Sequence, residues 1–209
     1  MKKYLLLLLL LISNGIFSQN KSLDLVSVKL ISELKTIAPA QEFYVGIKLK
    51  MLDEWHTYWK NPGDAGLATR IKWNLPSGFS ASEIFWPYPK RFYLGDDMVN
   101  FGYDNEEILL VKISTPKILA QSDYLISAKV SWLACKEECV PGSQEVSIKL
   151  KADSGSIYDS VIVKEIEETF LKLPVEFHDY KFSAERKDSL IILTILVPES
   201  ESAIERKIK

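Results

Sequence analysis

Cysteine and histidine are both scarce in this chain of 209 residues, which holds two of each: Cys135 and Cys139, His56 and His178. Two cysteines permit a single intramolecular disulfide, and two distant histidines do not supply the close His spacing of zinc motifs. Positive charge is not in excess. The 26 Lys and Arg residues face 28 Asp and Glu, a balance that argues against nucleic acid as a partner. Long apolar runs are missing after the N-terminus. The longest later candidate, 190–197, is strand-sized and far short of the roughly 20 residues that cross a bilayer. No internal repeat stands out, and no low-complexity segment follows the N-terminal run.

What the N-terminus does contain is a short positive start, Met1 to Lys3, an unbroken apolar stretch from Tyr4 to Ile12, and mostly small or polar residues from Ser13 to Ser18. This pattern predicts a secretory signal peptide over 1–18, cleaved after Ser18, and hence an exported, periplasmic chain. No cysteine at that site marks the new N-terminus for lipid attachment. Cleavage removes Lys2 and Lys3, so 24 of the 26 basic side chains remain against 28 acidic ones, a net charge of −4. Both cysteines lie in the exported part, where disulfides persist. A bridge closing so few residues removes little entropy from the unfolded chain, so stability alone is a weak reason for the pair.

Alternation of apolar and polar residues, the period of half-buried strands, recurs along the chain. It is visible in Leu23, Leu25, Val28 and Leu30, in Phe43, Val45, Ile47 and Leu49, and again over 69–75, 107–113, 124–132 and 145–150. Turn formers separate these runs: Asn61-Pro62-Gly63-Asp64, Pro76-Ser77-Gly78 and Pro141-Gly142. Many short strands without a long helix predict an all-β fold, an antiparallel β-sandwich over 19–155. Val161, Ile162, Ile166, Phe170 and Leu171 then follow a helical period until Pro174, so 156–174 reads as a helical linker. Two further strand-like runs, 180–184 and 190–197, make 175–209 a partial second β region or a C-terminal extension.

Chemistry concentrates in Ser131-Trp132-Leu133-Ala134-Cys135-Lys136-Glu137-Glu138-Cys139-Val140-Pro141-Gly142. A strand ends near Trp132, three polar residues separate the cysteines, and Pro141-Gly142 is expected to turn the chain into the next strand. Two thiols on a turn at a sheet edge are open to in-line attack by a partner's thiolate, the requirement for disulfide exchange. Lys136 favours a thiolate and Glu137 and Glu138 disfavour it, which leaves open which sulfur leaves more readily. A plain staple is one alternative, and a copper- or zinc-binding site using Cys135, Cys139 and His56 is another. Aromatic residues crowd two further segments, Trp55-His56-Thr57-Tyr58-Trp59 and Phe85-Trp86-Pro87-Tyr88-Pro89-Lys90-Arg91-Phe92-Tyr93. Core and corner packing is the expected use of Trp55, Trp59 and Trp86, with a sugar-binding face as the alternative.

The segments WHTYWKNPGDAG, FWPYPKRFYLGD and SWLACKEECVPG together resemble the N-terminal domain of the thiol:disulfide interchange protein DsbD family, above all its ScsB relatives. The likeness spans about 23–151. It implies an immunoglobulin-like sandwich that takes electrons from a membrane domain, here on another polypeptide, and passes them to thioredoxin-like periplasmic proteins. It implies no cofactor or metal, and a protein-disulfide reductase activity within a relay. Cys139, followed by Val140-Pro141, matches the sulfur that partners attack, and Cys135 matches its resolving partner. Phe92, Tyr93 and Gly95 match the tip of a loop that caps the disulfide, while Tyr58 and His56 match aromatics that line the site. The chain departs from the family's best-known members in its short Cys-x3-Cys spacing and in carrying Lys90 and Arg91 where acidic residues are expected. Lacking the family's membrane helices and C-terminal thioredoxin-like domain, the chain reads as a standalone or truncated form.

Overall fold

The computed structural model describes residues 25–95, 97–175 and 180–196. The expected signal peptide and His178 lie outside the described residues. Contacts divide the chain between Leu173 and Pro174 into two compact units.

The first unit is an all-β, immunoglobulin-like sandwich of two sheets. The smaller sheet runs in the order β1 (Val26–Ser32), β3 (Glu42–Met51), β9 (Glu106–Ser114), β6 (Ser80–Ala81), each pair antiparallel. The larger runs β12 (Ile157–Tyr158), β2 (Leu34–Ile37), β11 (Cys139–Ala152), β10 (Asp123–Cys135), β4 (His56–Gly63), β8 (Met98–Asp104), β7 (Lys90–Leu94). A further strand, β5 (Arg70–Asn74), pairs with the middle of β10, while β4 meets β10 only at its tip, where His56 registers with Cys135.

Side-chain period explains the layering. In β1, Val26, Val28 and Leu30 are buried and Ser27 and Lys29 are exposed; in β3, Phe43, Val45, Ile47 and Leu49 face the same core. In β10 the buried set is Tyr124, Ile126, Ala128, Val130, Trp132 and Ala134. Gln144 clamps the two sheets, donating to the Val28 carbonyl at 3.0 Å and accepting from the Val28 N–H at 3.1 Å.

β9 departs from alternation, with Ile108, Leu110, Leu109 and Val111 all buried. Leu109 and Val111 belong to the inter-sheet core, whereas Ile108 and Leu110 pack with Ile166 and Ile162 of the helix α1 (Ser160–Phe170). A strand covered on both faces reads as a continuous apolar run. The helix in the 156–174 segment is therefore a packed layer of the first unit, capped by Asp159, which accepts from Val161 N–H at 3.2 Å.

The second unit contains a hairpin, β13 (Lys181–Lys187) and β14 (Leu190–Leu196), joined through Asp188 at φ 55° and Ser189. The side chains of β13 and β14 are exposed, including Leu190, Ile191, Leu193 and Leu196.

Two turn expectations need correction. Pro141 and Gly142 lie inside β11, registered against Leu133 and Trp132, and the reversal is made by Lys136, Glu137 and Glu138. The Pro89–Gly95 segment, expected as a loop, is strand β7 over Lys90–Leu94 and pairs with β8.

Candidate functional site at the hairpin tip

Cys135 and Cys139 close the tip of the longest hairpin as a disulfide, with Cα atoms 4.2 Å apart. That spacing is slightly below the usual range of roughly 4.4–6.8 Å, because the residues are direct cross-strand partners of the narrow kind. The two cysteines differ in exposure: Cys139 is exposed, whereas Cys135 is only 2% exposed.

Parity along β10 shows what buries Cys135. The even-numbered residues from Tyr124 to Ala134 face the core, so Cys135 shares the outer face with Lys129, Ser131 and Leu133. A second, local layer covers it there. His56 is its cross-strand neighbour on β4, and His56 and Tyr58 point to that outer face while Thr57 between them faces the core. Both rings are buried, at 8% and 1% exposure. They meet edge to face at 5.3 Å, and Phe92 stacks flat on His56 at 4.3 Å with an interplanar angle of 10°.

Tyr58 reaches the disulfide directly, its hydroxyl 3.7 Å from Cys139 Sγ. A disulfide sulfur carries no proton, so the hydroxyl donates. Burial raises the Tyr58 pKa and keeps that proton in place. The loop after β4 holds the ring: Gly66 sits at φ 109° where a Cβ would lie 2.3 Å from Tyr58 Cε1. Ala65 N–H donates to Asn100 Oδ1 at 3.0 Å, and Val99 N–H donates to Asp64 Oδ2 at 2.8 Å. The sequence NPGDAG is thus the anchoring of this loop to β8.

Gly142 plays a comparable part below the hairpin, since a Cβ there would lie 2.6 Å from the Trp132 indole. The ring lies against the β11 backbone three residues from Cys139.

The cations around the tip have partners. Lys136 binds Glu54, which takes up the cation expected to favour a thiolate. Lys90 binds Asp104, and Asn105 Nδ2 donates to the same carboxylate oxygen at 3.1 Å. Arg91 donates to the Tyr93 hydroxyl at 3.3 Å, and Tyr93 is 67% exposed. Burial lowers the His56 pKa, and the negative charge of Asp104 offsets part of that.

Residues 24–151 match the family model described as the N-terminal domain of thiol:disulfide interchange protein DsbD. The chain belongs to the DsbD N-terminal family. Among solved structures it resembles the N-terminal periplasmic domain of ScsB from Proteus mirabilis, with TM-score 0.57 and 16% identity over 81% of this chain. The match covers 62% of that ScsB domain, so this chain spans less than two thirds of its length. Other matches are the reduced DsbD N-terminal domain of Neisseria meningitidis, at TM-score 0.30, 12% identity, 63% of this chain and 90% of the other. A type I cohesin of Pseudobacteroides cellulosolvens follows at TM-score 0.33, 7% identity, 63% of this chain and 96% of the other. No curated protein matches the sequence.

Six residues singled out from the sequence of this DsbD N-terminal family member can now be placed. Cys135, Cys139, His56, Tyr58 and Phe92 come together at one tip, linked by the contacts above. Tyr93 follows Phe92 on β7 with its ring out in solvent. Phe92 differs from the expected cap in one respect: the ring it covers is His56, and Cys139 stays exposed with Phe92 seated. Trp55, Trp59 and Trp86 pack against the main core, as their sequence context suggests. Three contributors were missed in the sequence: Asp104, Asn100 and Gly66. The first two lie on β8, whose alternation of Val99, Phe101 and Tyr103 with polar or small residues was a readable strand signal.

Proposed function

We propose that this domain is a periplasmic thiol:disulfide exchanger that relays reducing equivalents to disulfide-bearing, thioredoxin-like proteins through Cys135 and Cys139. One observation carries the reading: within the disulfide, Cys139 is an exposed residue and Cys135 a buried one, so Cys139 is the half offered to an incoming thiolate. A partner thiolate attacks Cys139 Sγ, forms a mixed disulfide and expels Cys135 as the leaving thiolate. In the reverse direction Cys135 attacks Cys139 Sγ, re-forms the internal disulfide and releases the partner's thiolate. Membership of a thiol:disulfide interchange family supports the chemistry. The signal-like N-terminus supports the compartment. A membrane electron-donor domain is the proposed supply. To sit between a thioredoxin-like donor and an isomerase-like acceptor, the pair's potential lies between roughly −270 and −180 mV. His56, Tyr58 and Phe92 line the site, and Tyr93 offers an exposed aromatic edge beside it.

Covalent trapping tests the assignment. Cys135→Ser, which keeps the exposed sulfur and removes the resolving one, accumulates mixed disulfides with periplasmic thioredoxin-like proteins. Cys139→Ser traps none. Equal trapping by the two variants removes the assigned roles.

A further inference from the structure

Strand register places four residues in one row across the outer face of the larger sheet. Asp104 on β8 registers with His56 on β4, His56 with Cys135 on β10, and Cys135 with Cys139 on β11. Direct cross-strand neighbours hold their Cβ atoms about 4.5–5.5 Å apart, within reach of one another's side chains. The row therefore reads carboxylate, imidazole, buried sulfur, exposed sulfur.

His56 has a polar vacancy in this arrangement. Its Nε2 is buried and has no hydrogen-bond partner, although buried polar groups are paired in the great majority of cases. In the disulfide, the neighbouring Cys135 sulfur carries no proton to offer. On opening of the disulfide that sulfur becomes a thiol, one strand across from the ring that carries the unpartnered nitrogen.

Resting on the exchange reading above, we propose that His56 is the base for Cys135: it accepts the Cys135 proton when this thiol closes the disulfide and returns it when the disulfide opens. In the closing direction a mixed disulfide of Cys139 with a partner, the Cys135 thiol and neutral His56 are the reactants. The Cys135–Cys139 bond forms, the bond from Cys139 to the partner breaks, the partner leaves as a thiolate, and the proton resides on the imidazole. Opening is the same step reversed, with the imidazolium protonating the Cys135 thiolate as it leaves. Without such a base, a buried Cys135 would ionise into a poorly solvated site.

The surroundings suit a neutral imidazole that can take up a proton. Phe92 on β7 excludes water from one face of the ring, and Tyr58 on its own strand contributes an edge. Asp104 faces it from β8 and is itself bound by Lys90 of β7 and by Asn105. Arg91 of β7 is engaged with Tyr93. The turn of the cysteine hairpin brings Lys136, Glu137 and Glu138, of which Lys136 is paired with Glu54 just before β4. Burial holds the ring neutral near pH 7, and Asp104 supplies the compensating charge once it is protonated.

The test uses the reduced full chain and 5,5′-dithiobis(2-nitrobenzoate). Cys139 attacks the reagent and releases one thionitrobenzoate in a phase that scales with reagent concentration. Cys135 then closes the ring and releases a second one in a phase independent of that concentration. In the wild type the closing rate rises with pH through the His56 titration and is level by pH 7. In His56→Gln it follows an ordinary thiol pKa of about 8.5, so it is roughly tenfold or more slower at pH 7 and converges with the wild type near pH 9. An unchanged closing rate and pH profile in His56→Gln overturns the proposal. Should that variant fail to fold, the wild type alone decides. Its closing midpoint either coincides with the His56 titration followed by NMR, assigned against His178→Gln, or it lies near 8.5 and overturns the proposal. Absence of the first phase is a different failure, one that removes the exchange reading and this inference with it.

Discussion

Gly66 shows how much the site depends on single atoms. At φ 109° an L-residue is strained, and an added Cβ would strike the Tyr58 ring at 2.3 Å. Gly66→Ala is expected to cost about 1–3 kcal/mol of stability in a chemical-denaturation series and to displace the Tyr58 hydroxyl from Cys139 Sγ. Phe92 acts on a neighbour instead. Its ring stacks on His56 and is only partly buried, so Phe92→Ala forfeits about 0.5–1.5 kcal/mol of aromatic contact plus part of its burial. The loss stays below the roughly 3–5 kcal/mol of an emptied core phenylalanine site. Removing the ring wets His56, whose pKa then moves up toward the ordinary value of about 6.5. An NMR titration of the two histidines in wild type and variant reads this shift, and an unmoved His56 refutes the shielding role. Cys135 and Cys139 were legible as the chemistry because they are the chain's two cysteines and have only three residues between them. The difference in their exposure was not, since it comes from β4, β7 and β8, which approach from distant parts of the chain.

Among the elements, α1 is the clearest case of a segment that gains its role from packing. Its propensity alone supports an isolated helix poorly at eleven residues. Ile166, 1% exposed, seats it on Ile108 and Leu110 of β9, and Phe170 packs edge to face on Tyr44 at 4.8 Å. Ile166→Ala is expected to destabilise the first unit by about 2–5 kcal/mol, whereas Val161→Ala, at a position 66% exposed, stays within about 0.5 kcal/mol. Thermal unfolding of the two variants compares them, and equal losses would mean that the helix is not seated this way. The reading of 107–113 as an alternating, half-buried run did not show that β9 is covered on both faces, because the helix that covers it lies far along the chain. Pro141-Gly142 likewise misled as a turn signal. Pro141 is tolerated inside β11 because that strand pairs with β2 only at Lys151 and Ala152, leaving an edge at the hairpin tip where a missing N–H costs no ladder bond. Gly142 is there for the Trp132 ring.

At the scale of the whole molecule, the buried imidazole couples the surroundings of the disulfide to stability. The His56 pKa lies below its unfolded value of about 6.5, so between the two the unfolded chain binds more protons. Stability therefore rises with pH across that window and falls as pH drops below about 6.5, by up to about 1.4 kcal/mol per pH unit. Glu33, whose pKa is raised by burial, pulls the opposite way from about 4.5 upward but is common to wild type and variant. Denaturation midpoints measured from pH 7 to pH 5 should accordingly decline more steeply in the wild type than in His56→Gln; parallel declines would show that His56 is not the titrating group. The sequence by itself determined the all-β class, most strand positions and the reactive cysteine pair, because period-2 burial and thiol chemistry are local properties of the chain. Only the tertiary structure decided which cysteine is exposed, that Phe92 covers His56, and that Asp104, His56, Cys135 and Cys139 stand in one row. Those relations are set by the register of strands far apart in sequence, and a shift of one residue in any of them would turn the side chains to the other face.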